Sequence, residues 1–224
     1  MNTDTQPRPP DQERLRITEI FYSVQGEARW SGMPTVFIRL TGCPLRCGYC
    51  DTGYAFQGGE WMSFDAIEAE VKKYKTKFIT VTGGEPLAQK ACPDLLRRLV
   101  DAGYDVSLET SGALDIRPVD TRVSRVVDIK TPDSGEVEKN LWANLEYLTR
   151  HDQIKFVICS RADYEWSVKF LNQHQLSDVC AVFFSPSYNQ LSLKQLTEWI
   201  LEDQLPVRVQ TQLHKQIWGE EPGR

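Results

Sequence analysis

The chain has 224 residues, 41% of them hydrophobic and 10% aromatic, enough to bury roughly three quarters of the unfolded surface around one core. Its 31 Asp and Glu outnumber 26 Lys and Arg, for a formal net charge of -5, so no broad basic footprint exists for a nucleic acid backbone. Neither a signal peptide nor an apolar run of the roughly 20 residues that a membrane helix needs is visible, and a cytoplasmic protein with no nucleic acid or membrane partner is expected.

Residues 1–13 are polar and proline-bearing and read as a disordered tail, which leaves 14–224 as a single domain. Short runs rich in β-branched residues then alternate with segments of helical period. In chain order they predict strands at 17–24, 36–40 and 78–82, with a helix over 63–75 before the third of these. Next come a helix over 93–102, strands at 105–109 and 126–130, and a helix over 141–149. A strand at 154–158, a helix over 162–174, a strand at 179–184, a helix over 192–203 and a strand at 206–210 complete the pattern. Ser63, Asp163 and Ser192 are the expected helix N-caps.

Strands alternating with helices require right-handed crossovers, so an α/β fold is expected, with all strands parallel in one curled sheet and the helices outside it. About five helices are too few for a closed eightfold barrel and leave a partial (β/α) barrel. Polar residues gather where strands end: Thr82 to Glu85, Glu109 to Ser111, Asp128 with Lys130, and Ser185. That carboxyl-terminal rim is where parallel α/β folds bind ligands.

Of six cysteines, Cys43, Cys47 and Cys50 fall in the run Thr41-Gly-Cys-Pro-Leu-Arg-Cys-Gly-Tyr-Cys-Asp51, a C-x3-C-x2-C loop after a strand. Three thiolates this close can wrap one compact metal centre, and soft sulfur ligands select an iron-sulfur cluster or zinc. A cubane held by three thiolates keeps one iron open to an outside ligand. Zinc would need a distant fourth ligand from Cys, His151, His174 or His214, although zinc sites more often use paired C-x2-C units. Cys92, Cys159 and Cys180 lie far apart and read as small core or half-buried hydrophobes.

The cysteine spacing, with Tyr49 before the last thiol, and Gly83-Gly84-Glu85-Pro86 after a strand resemble the two signatures of the radical S-adenosylmethionine (SAM) superfamily. The chain is also similar, over most of its length, to the 7-carboxy-7-deazaguanine synthase family. The residues that carry this likeness are Ser23-Val-Gln-Gly-Glu27, Phe37-Ile-Arg-Leu40, Cys50-Asp51-Thr52, Ile79 to Pro86, Glu109-Thr-Ser-Gly112 and Gln212-Leu-His-Lys215. What the resemblance implies is a radical SAM carbon-nitrogen lyase of queuosine and deazapurine biosynthesis. It would contract 6-carboxy-5,6,7,8-tetrahydropterin to 7-carboxy-7-deazaguanine with loss of ammonia, using a 4Fe-4S cluster, SAM as a regenerated cofactor, and Mg2+.

Position by position, the resemblance makes Cys43, Cys47 and Cys50 the cluster ligands and Thr52 the Mg2+ ligand. Tyr49, Cys50, Asp51, Gly84, Glu109, Ser111, Asp128, Lys130 and Ser185 would meet SAM, with Glu109 on its ribose hydroxyls. Val24, Gln25, Gly26, Glu27, Arg39, Thr82 and Arg224 would meet the pterin. Gln25 and Glu27 suit its donor and acceptor edge, and Arg39 offers a fork for its carboxylate. Without the resemblance, Gln25-Gly26-Glu27 would read as a polar turn, Arg39 as a surface strand residue and Thr52 as a loop cap. Some relatives carry Ser-Pro-Lys where this chain has Asp128-Ile129-Lys130. The tail from Ile217 to Arg224, with no terminating helix expected, is either a lid over the pocket or a frayed end. A homodimer and a flavodoxin or ferredoxin electron donor are further family implications. The competing readings are another radical SAM enzyme, such as a glycyl-radical-enzyme activase, and a zinc-binding adaptor.

Overall fold

A computed structural model describes residues 13–219, 221 and 223. Apart from Glu13, the expected tail 1–13 lies outside the described residues, as does Arg224. The elements in order are β1 (Arg14–Val24), β2 (Pro34–Leu40), β3 (Glu60–Ser63), α1 (Phe64–Val71), β4 (Phe78–Gly83), α2 (Cys92–Asp101), β5 (Asp105–Thr110) and β6 (Ser124–Ile129). They continue with β7 (Gln153–Ile158), α3 (Arg161–Gln173), α4 (Leu176–Val179), β8 (Ala181–Pro186), α5 (Leu193–Glu202), β9 (Arg208–Val209) and α6 (Leu213–Trp218). All nine strands form one sheet in the order β3-β1-β2-β4-β5-β6-β7-β8-β9.

From β2 through β9 the neighbours are parallel, as expected of a partial (β/α) barrel. The expectation that every strand runs parallel fails at one edge, where β1 is antiparallel to both β2 and β3. The connection 25–33 is too short to hold a crossover helix, so β1 and β2 can only fold back on each other. β3 escapes the sequence pattern because its four residues are nearly all exposed, with no apolar alternation to read.

Successive side chains on a strand point to opposite faces, and the parallel ladder keeps the two sets in register. Val36, Ile38 and Leu40 of β2 share a buried cluster with Ile79 and Val81 of β4, roofed by α1 and α2. Ile154, Phe156 and Ile158 of β7 join Val182 and Phe184 of β8 in a second cluster under α3 and α5. The residues between them, Arg39, Thr82, Glu109, Asp128, Lys155 and Ser185, all face the other way and line a common cavity. Parallel strands are ordinarily apolar on both faces; here one face is given over to a polar concavity.

Helix boundaries follow their caps. Ser63 Oγ accepts from Ala66 N and Ser192 Oγ from Gln195 N, as expected. For α3 the cap is Ser160, whose Oγ accepts from Asp163 N at 3.2 Å, and not Asp163. Asp163 is fully buried and takes Thr131 Oγ1, Asp133 N and Cys159 N. Those three donors draw the carboxylate away from the helix end and make it an anchor for the loop after β6. The segment expected as a helix over 141–149 is a 3-10 turn, Trp142–Tyr147. Its buried Asn144 amide donates to the Gly112 and Leu114 carbonyls and accepts from Ile116 N, which fastens the segment to a loop instead of letting it wind on. The absence of a closing helix is also corrected, since α6 occupies Leu213–Trp218. Cys92 and Cys180 are buried and Cys159 is half-buried, in keeping with their reading as packing residues. Among the described residues no helix is long and apolar enough to cross a membrane.

At the amino-terminal ends of β6 and β7, Arg125 and Asp152 form a buried bidentate pair with contacts of 2.8 and 2.5 Å. Breaking such a pair strands a charge away from water. Asp152→Ala is expected to destabilise the protein by about 3–5 kcal/mol, read as a lower denaturant midpoint at unchanged slope.

Candidate functional site

A cavity of about 420 Å³ opens over the carboxyl-terminal ends of the parallel strands. One wall is the cysteine loop after β2. Gly42 N donates to the Ala55 carbonyl, and Glu85 N donates to the Gly42 carbonyl, both at 2.8 Å, so the loop is stitched to its own return segment and to the loop after β4. Gly84 has to be glycine for this contact: a Cβ there would lie 2.3 Å from Gly42 O and 2.7 Å from Cys43 Cβ. Cys43, Cys47 and Cys50 all line the cavity as free thiols. Burial pushes the Cys43 and Cys47 thiols up. Among the described residues no group of three His, Cys, Asp or Glu is placed to hold a metal ion as the side chains stand. Cysteines spaced along a loop suit a cluster, whose sulfur ligands sit on separate irons.

Glu85 has no exposed surface and accepts hydrogen bonds from Thr110 Oγ1 at 3.0 Å, Ser111 N at 2.7 Å, Ser111 Oγ at 2.5 Å and Leu87 N at 2.9 Å. The acidic residue of the Gly-Gly-Glu-Pro turn thereby ties the β4 rim to the β5 rim. It also turns the Ser111 hydroxyl toward itself, although Ser111 still borders the cavity.

Deeper on the cysteine side, the Tyr49 hydroxyl and Asp128 Oδ1 are buried without a hydrogen-bond partner. Both residues line the cavity, and orphaned polar atoms there mark where a polar ligand completes the structure. Burial, with the Asp128 charge nearby, pushes the Tyr49 hydroxyl far up, so it stays a neutral donor. Lys130 stands 3.1 Å from Asp128 Oδ2 and 5.5 Å from the Tyr49 ring. Ser185 Oγ, in the same wall, accepts from the Gln210 amide at 3.0 Å. At the mouth, Thr52 Oγ1 donates to Asp51 Oδ1, while Lys215 Nζ meets Asp51 Oδ2 at 2.7 Å. Against the desolvation of the site, Lys215 holds the Asp51 carboxyl down to about 2. Two hard oxygen donors side by side, Thr52 and Asp51, are compatible with Mg2+, which keeps several waters of its own.

On the opposite wall Gln25 is buried, its amide donating to Thr80 Oγ1 at 2.9 Å and Glu109 Oε1 at 3.4 Å, its oxygen accepting from Glu27 N. Thr82 Oγ1 donates to Glu109 Oε2 at 3.0 Å, so Glu109 joins residues expected on the pterin side while also facing the expected SAM side. Burial pushes the Glu109 carboxyl up; burial acts likewise on Glu27, but Lys155 beside it overrides that and holds it down. Arg39 is paired with Glu19 at 2.7 Å and flanked by the Phe21 and Tyr54 rings. Val24 completes this wall, but Gly26 does not. A Cβ on Gly26 would sit 2.0 Å from His214 Nδ1, and Leu213 N donates to the Gly26 carbonyl. Gly26 is the seat on which α6 rests.

Sequence reasoning missed Lys155 and Gln210 in this group, and read His214 only within the Gln212-Leu-His-Lys215 motif and as a possible distant zinc ligand. The signal for Lys155 is positional: it lies directly opposite Asp128 across the ladder, a charged residue between the apolar Ile154 and Phe156. For Gln210 and His214, which sit beyond the last strand, no periodicity announces a role. Gly219, Glu221 and Gly223 also border the cavity.

A family model described as the Radical SAM superfamily matches residues 37–128. The chain is 44% identical to the 7-carboxy-7-deazaguanine synthase of Koribacter versatilis, over 92% of this chain and 98% of the relative. It is 43% identical to that of Chlorobaculum tepidum, over 92% and 94%. In fold it matches the crystal structure of QueE from Escherichia coli with a TM-score of 0.75 at 23% identity, over 90% of this chain and 95% of that one.

The Glu85 linkage has a measurable consequence. Glu85→Ala strands the Ser111 and Leu87 amides and the Thr110 hydroxyl, and should destabilise the protein by about 3 kcal/mol in urea unfolding.

Proposed function

We propose that this chain, which belongs to the 7-carboxy-7-deazaguanine synthase family of radical SAM enzymes, converts 6-carboxy-5,6,7,8-tetrahydropterin to 7-carboxy-7-deazaguanine with loss of ammonia, in queuosine and deazapurine biosynthesis. The observation that carries this reading is one cavity with three thiols on one wall and the carboxylates Glu27 and Glu109 on the other.

Cys43, Cys47 and Cys50 would hold the 4Fe-4S cluster. Tyr49, Asp51, Gly84, Ser111, Asp128, Lys130 and Ser185 would border SAM, and Thr52 would contribute to Mg2+. Bound there, cluster and SAM supply single-electron reduction and hydrogen-atom abstraction. The chain's own residues do the rest. Glu27, held ionised by Lys155, accepts from the N–H edge of the pterin, and Gln25 supplies a neighbouring amide oxygen. Arg39, with Nε on Glu19, turns its remaining donors toward the substrate carboxylate. Glu109, whose carboxyl burial pushes up while Gln25 and Thr82 donate to it, stands between the two ligand positions and meets the SAM ribose from the same place. Phe21, Phe37 and Val126 give the cavity apolar surface that excludes water, which strengthens every charge interaction inside it.

Residues 14–224 act as one functional domain in this reading, a cytoplasmic homodimer that takes its electron from a flavodoxin or ferredoxin. The tail beyond α6 serves as a lid, supported by Gly219, Glu221 and Gly223 at the cavity edge.

Anaerobic reconstitution followed by reductant, SAM, Mg2+ and the tetrahydropterin is expected to yield 7-carboxy-7-deazaguanine by mass spectrometry. Cys47→Ala should abolish the product. Formation of 5'-deoxyadenosine without any deazaguanine would overturn the substrate assignment.

A further inference from the structure

Lys155 has no place in the ligand sets above, yet it is the cation that joins the two walls of the cavity. Its side chain is 14% exposed, and its ammonium stands 2.9 Å from Glu27 Oε2 and 3.5 Å from Asp128 Oδ2. An ammonium leaves water only where carboxylates replace the lost hydration. Burial works against the charged form here, but Glu27, Asp128 and Glu109 keep Lys155 protonated far beyond the ordinary lysine range.

The two carboxylates do not depend on it equally. Asp128 has a second cation, Lys130, at 3.1 Å. The other side-chain partners of Glu27 are neutral amides, Gln210 at 3.1 Å and Gln212 at 2.9 Å. Among the described residues Lys155 is the one cation in a salt bridge with Glu27. A carboxylate offers about four acceptor positions, and Lys155, Gln210 and Gln212 fill three. What remains faces a ligand as an acceptor only. Without Lys155, burial would favour the protonated carboxyl, which presents a donor to an N–H edge and is mismatched with it.

We propose that Lys155 is a positioning residue for substrate recognition: by pairing with Glu27 it fixes that carboxylate as a pure acceptor, and so selects a fused heterocycle that turns an edge N–H toward it. The inference rests on the reading of this cavity as a pterin site.

Calorimetric titration of anaerobic holoenzyme with 6-carboxypterin tests it through a double-mutant cycle. Lys155→Met and Glu27→Gln should each weaken binding by about tenfold or more, and the double variant should bind within about twofold of Glu27→Gln alone. In turnover, the loss in Lys155→Met should fall on KM for the tetrahydropterin, with KM for SAM far less affected because Lys130 still faces Asp128. Unchanged binding in Lys155→Met, or single losses that multiply in the double variant, overturns the proposal. If Lys155→Met alone does not fold, Glu27→Gln against the double variant, which removes both buried charges together, decides it in the same way. Wild-type holoenzyme that takes up no 6-carboxypterin overturns the pterin reading itself, and this proposal with it.

Discussion

The structure depends on one constraint, the strict alternation of side chains along strands held in parallel register. Because Arg39 pairs with Thr82, Glu109 with Val126, Asp128 with Lys155 and Val157 with Ser185 across successive ladders, the inward-facing members of β2 and β4 to β8 meet over one cavity. The same register sends Ile38, Val81, Leu108, Val127, Phe156 and Phe184 to the helices. A slip by one residue in any strand would exchange the two sets, burying charge under a helix and opening apolar surface in the site. Stability and ligand binding are thus consequences of the same pattern.

Above the strands, the rim is held by contacts that leave little freedom. Gly84 lets the loop after β4 touch the backbone that opens the cysteine run, and Glu85 then fastens that loop to Thr110 and Ser111. Cys43 is therefore placed by β4 and β5 as much as by its own loop. From the other end of the chain, α6 rests on Gly26 while Gln212 and Lys215 reach Glu27 and Asp51, so the two walls are bridged by residues far apart in sequence.

Much of this architecture was legible in the residues. The apolar alternation of the central strands located them within a few positions, and the C-x3-C-x2-C loop with the Gly-Gly-Glu-Pro turn marked the site, since metal and backbone-approach chemistry tolerate few substitutes. What stayed hidden depends on partners distant in sequence. Asp163 has the composition of a helix cap but spends its acceptors on Thr131, Asp133 and Cys159. The segment around Asn144 has helical spacing but is fastened to the loop after β5. β3 is almost wholly exposed and carries no pattern. Lys155 becomes meaningful only when the ladder sets it beside Asp128 and the chain's return brings Glu27 to it.

The central claim is that one polar face of the sheet holds cofactor and substrate together. The electron paramagnetic resonance spectrum of the reduced, SAM-bound cluster, recorded with and without 6-carboxypterin, tests it most directly. The account predicts that saturating pterin changes the spectrum, because both ligands share the cavity between the cysteine loop and Glu27. A spectrum left unaltered while the pterin is shown to be bound would place it elsewhere and contradict the account.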